Sequence, residues 1–243
     1  MATQSRMPIL LTRPQAQSER FAADLERARP GVAEIMISPL MAPDLVLRDV
    51  PAGPFSGVIF SSETGVEAAL PFRASLPDLA YCVGDRTAAA AAAAGFRPVP
   101  AEGDAESMIR LIRGEAPAGR LIHLHGEDTR GDVAQRLTAA GIETVSVIAY
   151  RQVPQAMSAA AEVLLKGQGG VIVPLFSPRT ASLFCAAYRA IGGKAPLGVV
   201  AMSKAVDANV DLPSVRMRKV ALNPDAPSMR RAVVALIDAG PPG

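Results

Sequence analysis

Short apolar runs alternate with amphipathic helical patterns from one end of the chain to the other. Ile9–Leu11 is typical of a buried strand, and Phe21, Leu25 and Ala28 follow it at i, i+4 and i+7, which is the spacing of one helix face. Alternating strands and helices favour parallel sheets covered on both faces, so the pattern predicts an α/β fold. Further strands are predicted at 35–37, 58–60, 81–83, 121–124, 145–148, 171–173 and 199–202, and a last helix through Met229, Val233, Leu236 and Ile237.

The order of these segments occurs twice along the chain. The strand, polar turn and helix of ILLTRPQAQSERFAADLERA have a counterpart in LIHLHGEDTRGDVAQRLTAAG. In the same way VIFSSETGVEAAL corresponds to VIVPLFSPRTASLF, and YCVGDRTAAAAAAAGF to GVVAMSKAVDANV. Two copies of one α/β unit predict two similar domains.

The repeat leaves two ways of dividing the chain. Proline-rich stretches follow two predicted strands, SPLMAP at 38–43 and YRQVP at 150–154, and each is a candidate strand that crosses between domains. In that arrangement 1–38 joins 155–243, 43–149 is an inserted domain, and 39–42 and 150–154 are linkers. A tandem split near residue 120 fits the repeat almost as well.

Composition narrows the class of partner. The hydrophobic share is 49% but the aromatic share only 4%, so Ala, Val, Leu and Ile must fill the core. The chain has 25 basic and 23 acidic residues, a net charge of +2, and no run of Lys and Arg. A nucleic-acid-binding protein would concentrate basic residues on one face, so we expect no nucleic-acid partner.

Targeting and redox signals point to the cytoplasm. No apolar stretch reaches the ~18 to 20 residues that cross a bilayer, and residues 1–8 lack the apolar segment of a secretory signal. Cys82 and Cys185 lie in apolar surroundings without a CxxC motif, which predicts buried thiols in a reducing compartment. We therefore expect a soluble cytoplasmic protein without a membrane partner.

Polar turns follow most of the predicted strands and open the next helix. Ligands of parallel sheets bind beyond the carboxyl ends of the strands, and the first N–H groups of a helix bind anions. A helix cap explains each hydroxyl taken alone, whereas their repetition favours a distributed site for a multiply anionic ligand. The turns lie at 12–14, 61–64, 84–87, 125–128, 177–180 and 203–204.

Several familiar chemistries lack their motifs. No GxGxxG follows the first strand, and neither a GxxxxGK[ST] loop nor a GxSxG elbow is present. His123 and His125 share one face of a predicted strand, but no third ligand lies near them in sequence, which argues against catalytic zinc. We predict that His125, at the strand end, is an exposed polar residue. Tyr150 ends another strand, where its phenol either donates a proton to a departing hydroxyl or lies in water while its ring packs.

Taken in order, the turn motifs resemble the uroporphyrinogen-III synthase family. The resemblance runs from Ile9 to about Ile237, and Thr64 stands where the family usually has Asn. The motifs are ILLTRP at 9–14, VIFSSETGV at 58–66, VGDRTA at 83–88, LHGEDTR at 124–130, VIAYR at 147–151, LFSPRTA at 175–181, AMSKAV at 201–206 and APS at 226–228.

The resemblance implies a reaction in tetrapyrrole biosynthesis. The substrate would be hydroxymethylbilane, a linear tetrapyrrole with acetate and propionate groups on every ring. It would lose water, invert ring D, by the usual proposal through a spiro intermediate, and close to uroporphyrinogen III. No cofactor or metal would be needed. The family's architecture, two flavodoxin-like domains with a two-stranded linker and a cleft between them, selects the inserted-domain arrangement. We also expect a monomer that can receive its substrate by transient contact with hydroxymethylbilane synthase.

The resemblance also implies the site residues. Tyr150 would assist departure of the hydroxyl. The alternative is a non-catalytic tetrapyrrole- or small-anion-binding protein on the same scaffold, whereas a nucleotide-sugar transferase would need a phosphate loop or acidic metal motif that the sequence lacks. The substrate-binding residues would be Thr12, Arg13, Ser61, Ser62, Thr64, Gly84, Thr87, Gly126, Arg130, Ser177, Pro178, Thr180 and Ser203.

Overall fold

The chain divides into two compact units. Unit 1 consists of Met1–Ala42 with Pro154–Gly243, and unit 2 of Pro43–Val153. The computed structural model describes residues 8–31, 34–129 and 131–240.

Strands and helices alternate through both units. In chain order the described elements are β1 (Ile9–Leu11), α1 (Gln15–Ala28), β2 (Ile35–Ile37), β3 (Met41–Leu45), β4 (Gly57–Phe60), α2 (Glu63–Ala69) with a short 3-10 helix (Leu70–Ser75), β5 (Leu79–Cys82), α3 (Asp85–Ala93), β6 (Arg97–Pro100), α4 (Ala105–Glu115), β7 (Leu121–Gly126), α5 (Val133–Ala139), β8 (Thr144–Pro154), α6 (Ala159–Lys166), β9 (Val171–Leu175), α7 (Pro178–Ala190), β10 (Leu197–Ala201), α8 (Lys204–Asp207), β11 (Val215–Val220) and α9 (Ala226–Asp238).

The sheet of unit 1 is buried on both faces. Its described strands lie in the order β11-β10-β9-β1-β2, and each neighbouring pair is parallel. Successive side chains of a strand point to opposite faces, so Leu10 packs with α6 and α7 while Ile9 and Leu11 pack with α1 and α9. All three residues are fully buried, which accounts for the continuous apolar run in the sequence.

The sheet of unit 2 has the strand order β3-β8-β7-β4-β5-β6 among the described residues. The pairs from β8 through β6 are parallel. Phe60 of β4 faces the core formed with α2 and α3, whereas Ile59 faces the core formed with α4 and α5. The predicted α/β class with parallel sheets is confirmed.

The sequence pattern missed two strands at sheet edges, β6 and β11, and indicated β3 only as a candidate crossing strand. β3 and β6 contain proline, which lacks the N–H of a ladder and is tolerated at an edge. β11 is an edge strand of unit 1 and carries exposed basic side chains, so it has no apolar run to reveal it. The predicted strand at 145–148 and the candidate crossing strand at 150–154 form one continuous strand, β8.

Each unit contains one free cysteine. Cys82 of unit 2 and Cys185 of unit 1 are both buried, as predicted. Burial raises the pKa of the Cys82 thiol to about 12 and raises that of Cys185 as well, so neither thiol ionises readily at neutral pH. Among the described residues, no helix combines the length and the hydropathy that a membrane span requires.

Candidate functional site

Three serines of the predicted turns cap the helices that they precede. The Oγ atoms of Ser62, Ser177 and Ser203 accept backbone N–H groups of the first turns of α2, α7 and α8, at donor–acceptor distances of 3.1, 3.1 and 3.3 Å. Capping occupies an acceptor position on each oxygen but leaves the hydroxyl hydrogen able to donate. A capping serine can therefore still bind a carboxylate.

The helices α1, α3 and α5 begin without such a side-chain cap. Pro14 precedes α1 and Gly84 precedes α3, and neither makes a side-chain cap bond. A Cβ at Gly84 would come within 3.3 Å of the Cα of Gly103, so close approach of two backbones explains the glycine there. No capping side chain accepts the first N–H groups of α1 and α3, so those that also lack a backbone acceptor suit an anionic group.

Thr12 and Arg13 lie where β1 leads into α1. Thr12 is fully buried, and its Oγ1 has no hydrogen-bond partner among the described residues. The guanidinium of Arg13 stacks over the ring of Phe176 at 4.0 Å and its Nη2 donates to Oε1 of Gln17 at 2.7 Å. Stacking and hydrogen bonding together fix the orientation of this cation in unit 1.

We expect Thr12→Val to stabilise the protein and weaken substrate binding. Valine has nearly the same shape but removes a buried hydroxyl that has no partner, which should raise the free energy of unfolding by about 1 kcal/mol. If that hydroxyl serves the ligand, KM rises at the same time. Urea unfolding and steady-state kinetics on one preparation check both effects, and a lower unfolding midpoint would contradict the first.

Tyr150 and Ser62 form a hydroxyl pair in unit 2. The Tyr150 Oη and the Ser62 Oγ are 2.9 Å apart, and the same Ser62 oxygen accepts the N–H of Gly65. Tyr150 was predicted to end its strand, but β8 continues past it to Pro154. The backbone carbonyl of Tyr150 accepts the N–H of Glu127 at 2.9 Å, which ties β8 to the turn after β7. When Ser62 donates to the phenol oxygen, the Tyr150 hydrogen is left to donate elsewhere.

Gly126 makes room for the tyrosine ring. A Cβ on Gly126 would lie 2.7 to 2.9 Å from three atoms of the Tyr150 side chain, closer than carbon atoms approach each other. The glycine therefore allows the phenol to lie directly against the end of β7. The arrangement places a proton donor beside a capped helix start.

His123 and His125 form a buried pair on β7. Their ring centroids are 4.6 Å apart and their side chains are 1% and 8% exposed. The prediction that His125 is exposed is wrong, because β7 continues past it to Gly126 and the neighbouring β8 supplies Ser146, whose Oγ lies 2.7 Å from His125 Nε2. No three His, Cys, Asp or Glu side chains of the described residues are grouped to hold a metal ion.

Burial keeps His123 neutral. Desolvation, and next the neighbouring His125, lower the pKa of His123 from 6.5 to about 3. The His123 Nε2 lies 3.3 Å from the Oγ of Ser61, one of the predicted site residues.

The lowered pKa predicts a loss of stability in mild acid. The unfolded chain takes up a proton on His123 below pH ~6.5 while the folded chain does so only near pH 3, so stability is full above 6.5 and falls towards 3. Between pH 7 and pH 5 we expect a loss of about 2 kcal/mol in the free energy of unfolding. Urea titrations at both pH values measure it.

His123→Gln should remove this component. Three carboxylates also have lowered pKa values, but they reduce the free energy of unfolding only when the pH falls to about 4, the ordinary pKa of a carboxyl group. They are Asp104, Glu106 and Asp225. The same pH dependence in His123→Gln as in the parent protein would show that His123 is not its source.

A cavity of about 480 Å³ lies beside the histidine pair in unit 2. His123, His125, Glu127 and Asp132 line it together with residues of α5, and none of its described lining residues is Lys or Arg. Carboxylates on its wall repel an anion, so the strand-end turns suit substrate carboxylates better than this cavity does.

A family model decides the identity of the chain. The model described as uroporphyrinogen-III synthase HemD matches residues 9–229. The chain belongs to the uroporphyrinogen-III synthase family. Its members are cyclising lyases, and the predicted activity is that of the family.

One solved structure shares the fold of this chain, and a second one aligns less closely. A uroporphyrinogen-III synthetase from Helicobacter pylori aligns over 95% of this chain and 100% of its own, with a TM-score of 0.60 and 13% sequence identity. A mutant uroporphyrinogen III synthase from the extremely thermophilic bacterium Thermus thermophilus covers 96% of this chain and 99% of its own, at 14% identity and a TM-score of 0.48. No curated protein matches the chain in sequence.

The remaining residues implied by the family resemblance fall at helix starts. Thr64 lies half-buried in the first turn of α2, and Pro178 opens α7. Thr87 and Thr180 are buried, as Thr12 is, and the Thr180 hydroxyl lies 2.9 Å from that of Ser177. Arg130 lies outside the described residues.

Sequence reasoning missed the contact between His123 and Ser61. This contact could have been predicted from the alternation of side chains along a strand, since residues two positions apart point to the same face of the sheet. His123 is paired with Ile59 on the neighbouring β4, so His125 and Ser61 continue the same face of the sheet.

Proposed function

We propose that this chain converts hydroxymethylbilane to uroporphyrinogen III, with Tyr150 as the proton donor to the leaving hydroxyl. The observation that carries the assignment of Tyr150 is its hydroxyl bond to Ser62, because it joins two motifs of the family at one point of unit 2. A phenol held there by a second hydroxyl is positioned to donate, provided that Ser62 supplies the hydrogen of their mutual bond.

The proposed reaction balances as a loss of water. The C–O bond of the hydroxymethyl group breaks, its oxygen takes the proton of Tyr150, and the pyrrole nitrogen supplies the electron pair that expels it. The resulting cation is attacked by the substituted carbon of ring D, which gives a spiro centre. The bond from that carbon to the methylene bridge of ring C then breaks. The freed methylene carbon bonds to the unsubstituted α-carbon of ring D, which inverts the ring and closes the macrocycle. That α-carbon loses one proton, which restores the phenol.

Binding is proposed to rest on the strand-end turns of each unit. In unit 1 these are the Thr12–Arg13 turn with the uncapped start of α1, Ser177 and Ser203. In unit 2 they are Ser61, Ser62 and the start of α3. Hydroxyl and backbone N–H donors hold carboxylates without a metal or cofactor. The main task of the enzyme is to hold the linear tetrapyrrole substrate in a folded conformation.

The finer architecture belongs to the same proposal. We propose two flavodoxin-like domains with residues 39–42 and 150–154 as a two-stranded linker. The boundaries between the units fall inside two strands, after Ala42 in β3 and after Val153 in β8. These two strands are neighbours in one sheet, which supports the two-stranded linker. A cytoplasmic monomer that receives its substrate from hydroxymethylbilane synthase completes the proposal.

A coupled assay tests the activity. Porphobilinogen and its deaminase generate the linear substrate, this protein is added, and the oxidised porphyrins are separated by isomer. We expect predominantly the type III isomer. Only the spontaneous type I isomer, from protein shown to be folded, would reject the proposal in favour of a tetrapyrrole- or anion-binding protein on the same scaffold.

A further inference from the structure

His123 lies beneath Ser61 on the sheet of unit 2. Its strand, β7, is paired in register with β4, whose last residue precedes Ser61. The His123 ring is 1% exposed and its Nε2 is 3.3 Å from the Ser61 Oγ. The imidazole is therefore held inside the unit, where the Ser61 hydroxyl is a hydrogen-bond partner for it.

The tautomer of the neighbouring His125 follows from its contacts. Its Nδ1 lies 2.8 Å from the carbonyl oxygen of Gly126, and a carbonyl only accepts, so Nδ1 carries the hydrogen. Its Nε2, 2.7 Å from the Ser146 Oγ, then accepts from that hydroxyl in the neutral ring. His125 is thus fixed by partners on both sides.

No carbonyl of the described residues constrains His123 in this way, so its tautomer decides what Ser61 can do. With the hydrogen on Nε2, His123 donates to Ser61, and the Ser61 hydrogen is left to donate to a ligand. With the hydrogen on Nδ1, Ser61 must donate to Nε2 and its only hydrogen is used up. A serine that binds a carboxylate needs the first arrangement.

We propose that His123 is a positioning residue that donates its Nε2 hydrogen to Ser61 and so directs the Ser61 hydroxyl at a substrate carboxylate. This rests on the proposed function, because it takes Ser61 as a substrate-binding residue. His123 itself touches no substrate. The two histidines would then carry opposite tautomers, Nε2–H in His123 and Nδ1–H in His125, although they lie on one strand.

The tautomers can be observed directly. The chain has only two histidines, so protein with nitrogen-15-labelled histidine gives four ring-nitrogen resonances, and the His123→Gln variant assigns them. We expect an Nε2–H pattern for His123 and an Nδ1–H pattern for His125 near neutral pH. An unprotonated Nε2 in His123 would overturn the proposal whatever the protein catalyses.

Kinetics test the link to Ser61. His123→Phe keeps a ring but loses the donor, and we expect KM to rise ~5-fold, the value of one hydrogen bond, with kcat nearly unchanged. His123→Gln places an amide N–H near the lost Nε2 and should recover much of that rise. In a Ser61→Ala background, His123→Phe should change KM no further.

Three outcomes would reject the positioning role. They are an equal effect of Phe and Gln at position 123, an effect of His123→Phe on KM that persists in Ser61→Ala, and an unchanged KM in Ser61→Ala itself. Because all variants are assayed for type III product, loss of the positioning role in an active enzyme is distinguishable from failure of the proposed function, in which the parent protein forms no type III isomer.

Discussion

Tyr150→Phe is expected to lower kcat by ~10²-fold while the protein stays folded. General acids contribute roughly 10²- to 10⁴-fold, and the electron-rich pyrrole already favours expulsion of the hydroxyl, so the lower end applies. The substitution also removes the 2.9 Å contact with Ser62, which should reduce the free energy of unfolding by only about 1 kcal/mol. Single-turnover rates of type III isomer formation, with urea unfolding on the same sample, give both numbers.

Tyr188→Phe is the matched control. The Tyr188 hydroxyl donates to the carbonyl of Ala195 at 2.9 Å inside unit 1, and neither residue is among the predicted site residues. Its loss should lower stability by an amount similar to that of Tyr150→Phe, or a little more, and leave kcat unchanged. Equal kcat values for the parent and Tyr150→Phe would remove Tyr150 from the chemistry and leave it a packing residue.

Gly126→Ala should reproduce the kinetic defect without touching the phenol. The new methyl group would overlap the Tyr150 ring, so the side chain must move and the bond to Ser62 is lost. We expect kcat to fall at least ~10-fold and the free energy of unfolding to fall by about 1 to 3 kcal/mol, as for an overpacked site. The measurements are the same two as for Tyr150→Phe.

Gly193→Ala controls for steric strain alone. A Cβ at Gly193 would lie 2.5 to 2.7 Å from the ring of Tyr188, the same kind of overlap in unit 1. It should cost comparable stability and leave kcat intact. In the double variant Gly126→Ala/Tyr150→Phe, kcat should be no lower than in Tyr150→Phe. The reason is that both substitutions disrupt the same interaction, the one made by the Tyr150 hydroxyl. Additive losses in kcat would show that Gly126 acts through something other than Tyr150.

The sequence predicted the buried strands well because burial on both faces produces continuous apolar runs. Ile9–Leu11 and Val171–Leu175 are examples, and both are central in their sheet. The edge strands β6 and β11 escaped prediction, and β3 was indicated only as a candidate crossing strand, because one side of an edge strand faces away from the ladder. Proline and charged residues are therefore tolerated there, and they conceal the strand period.

The candidate site was predictable as a set of turns but not as contacts. That hydroxyls follow strands is visible in the sequence, and so is their capping role. The pairing of Ser62 with Tyr150 joins residues 88 positions apart and depends on the order in which β4, β7 and β8 lie in the sheet. The burial of His125 depends in the same way on its neighbour Ser146 in β8.

The distribution of the two cysteines gives each unit an internal reporter of its own opening. Cys82 in unit 2 and Cys185 in unit 1 are shielded and hard to ionise, so an alkylating reagent can modify them only when the surrounding unit opens. The rates of labelling at the two positions, resolved by peptide mass, would therefore compare the local stability of the two units in the native protein. Equal rates would mean that both thiols are exposed by a single cooperative unfolding event, and unequal rates that one unit opens while the other remains folded.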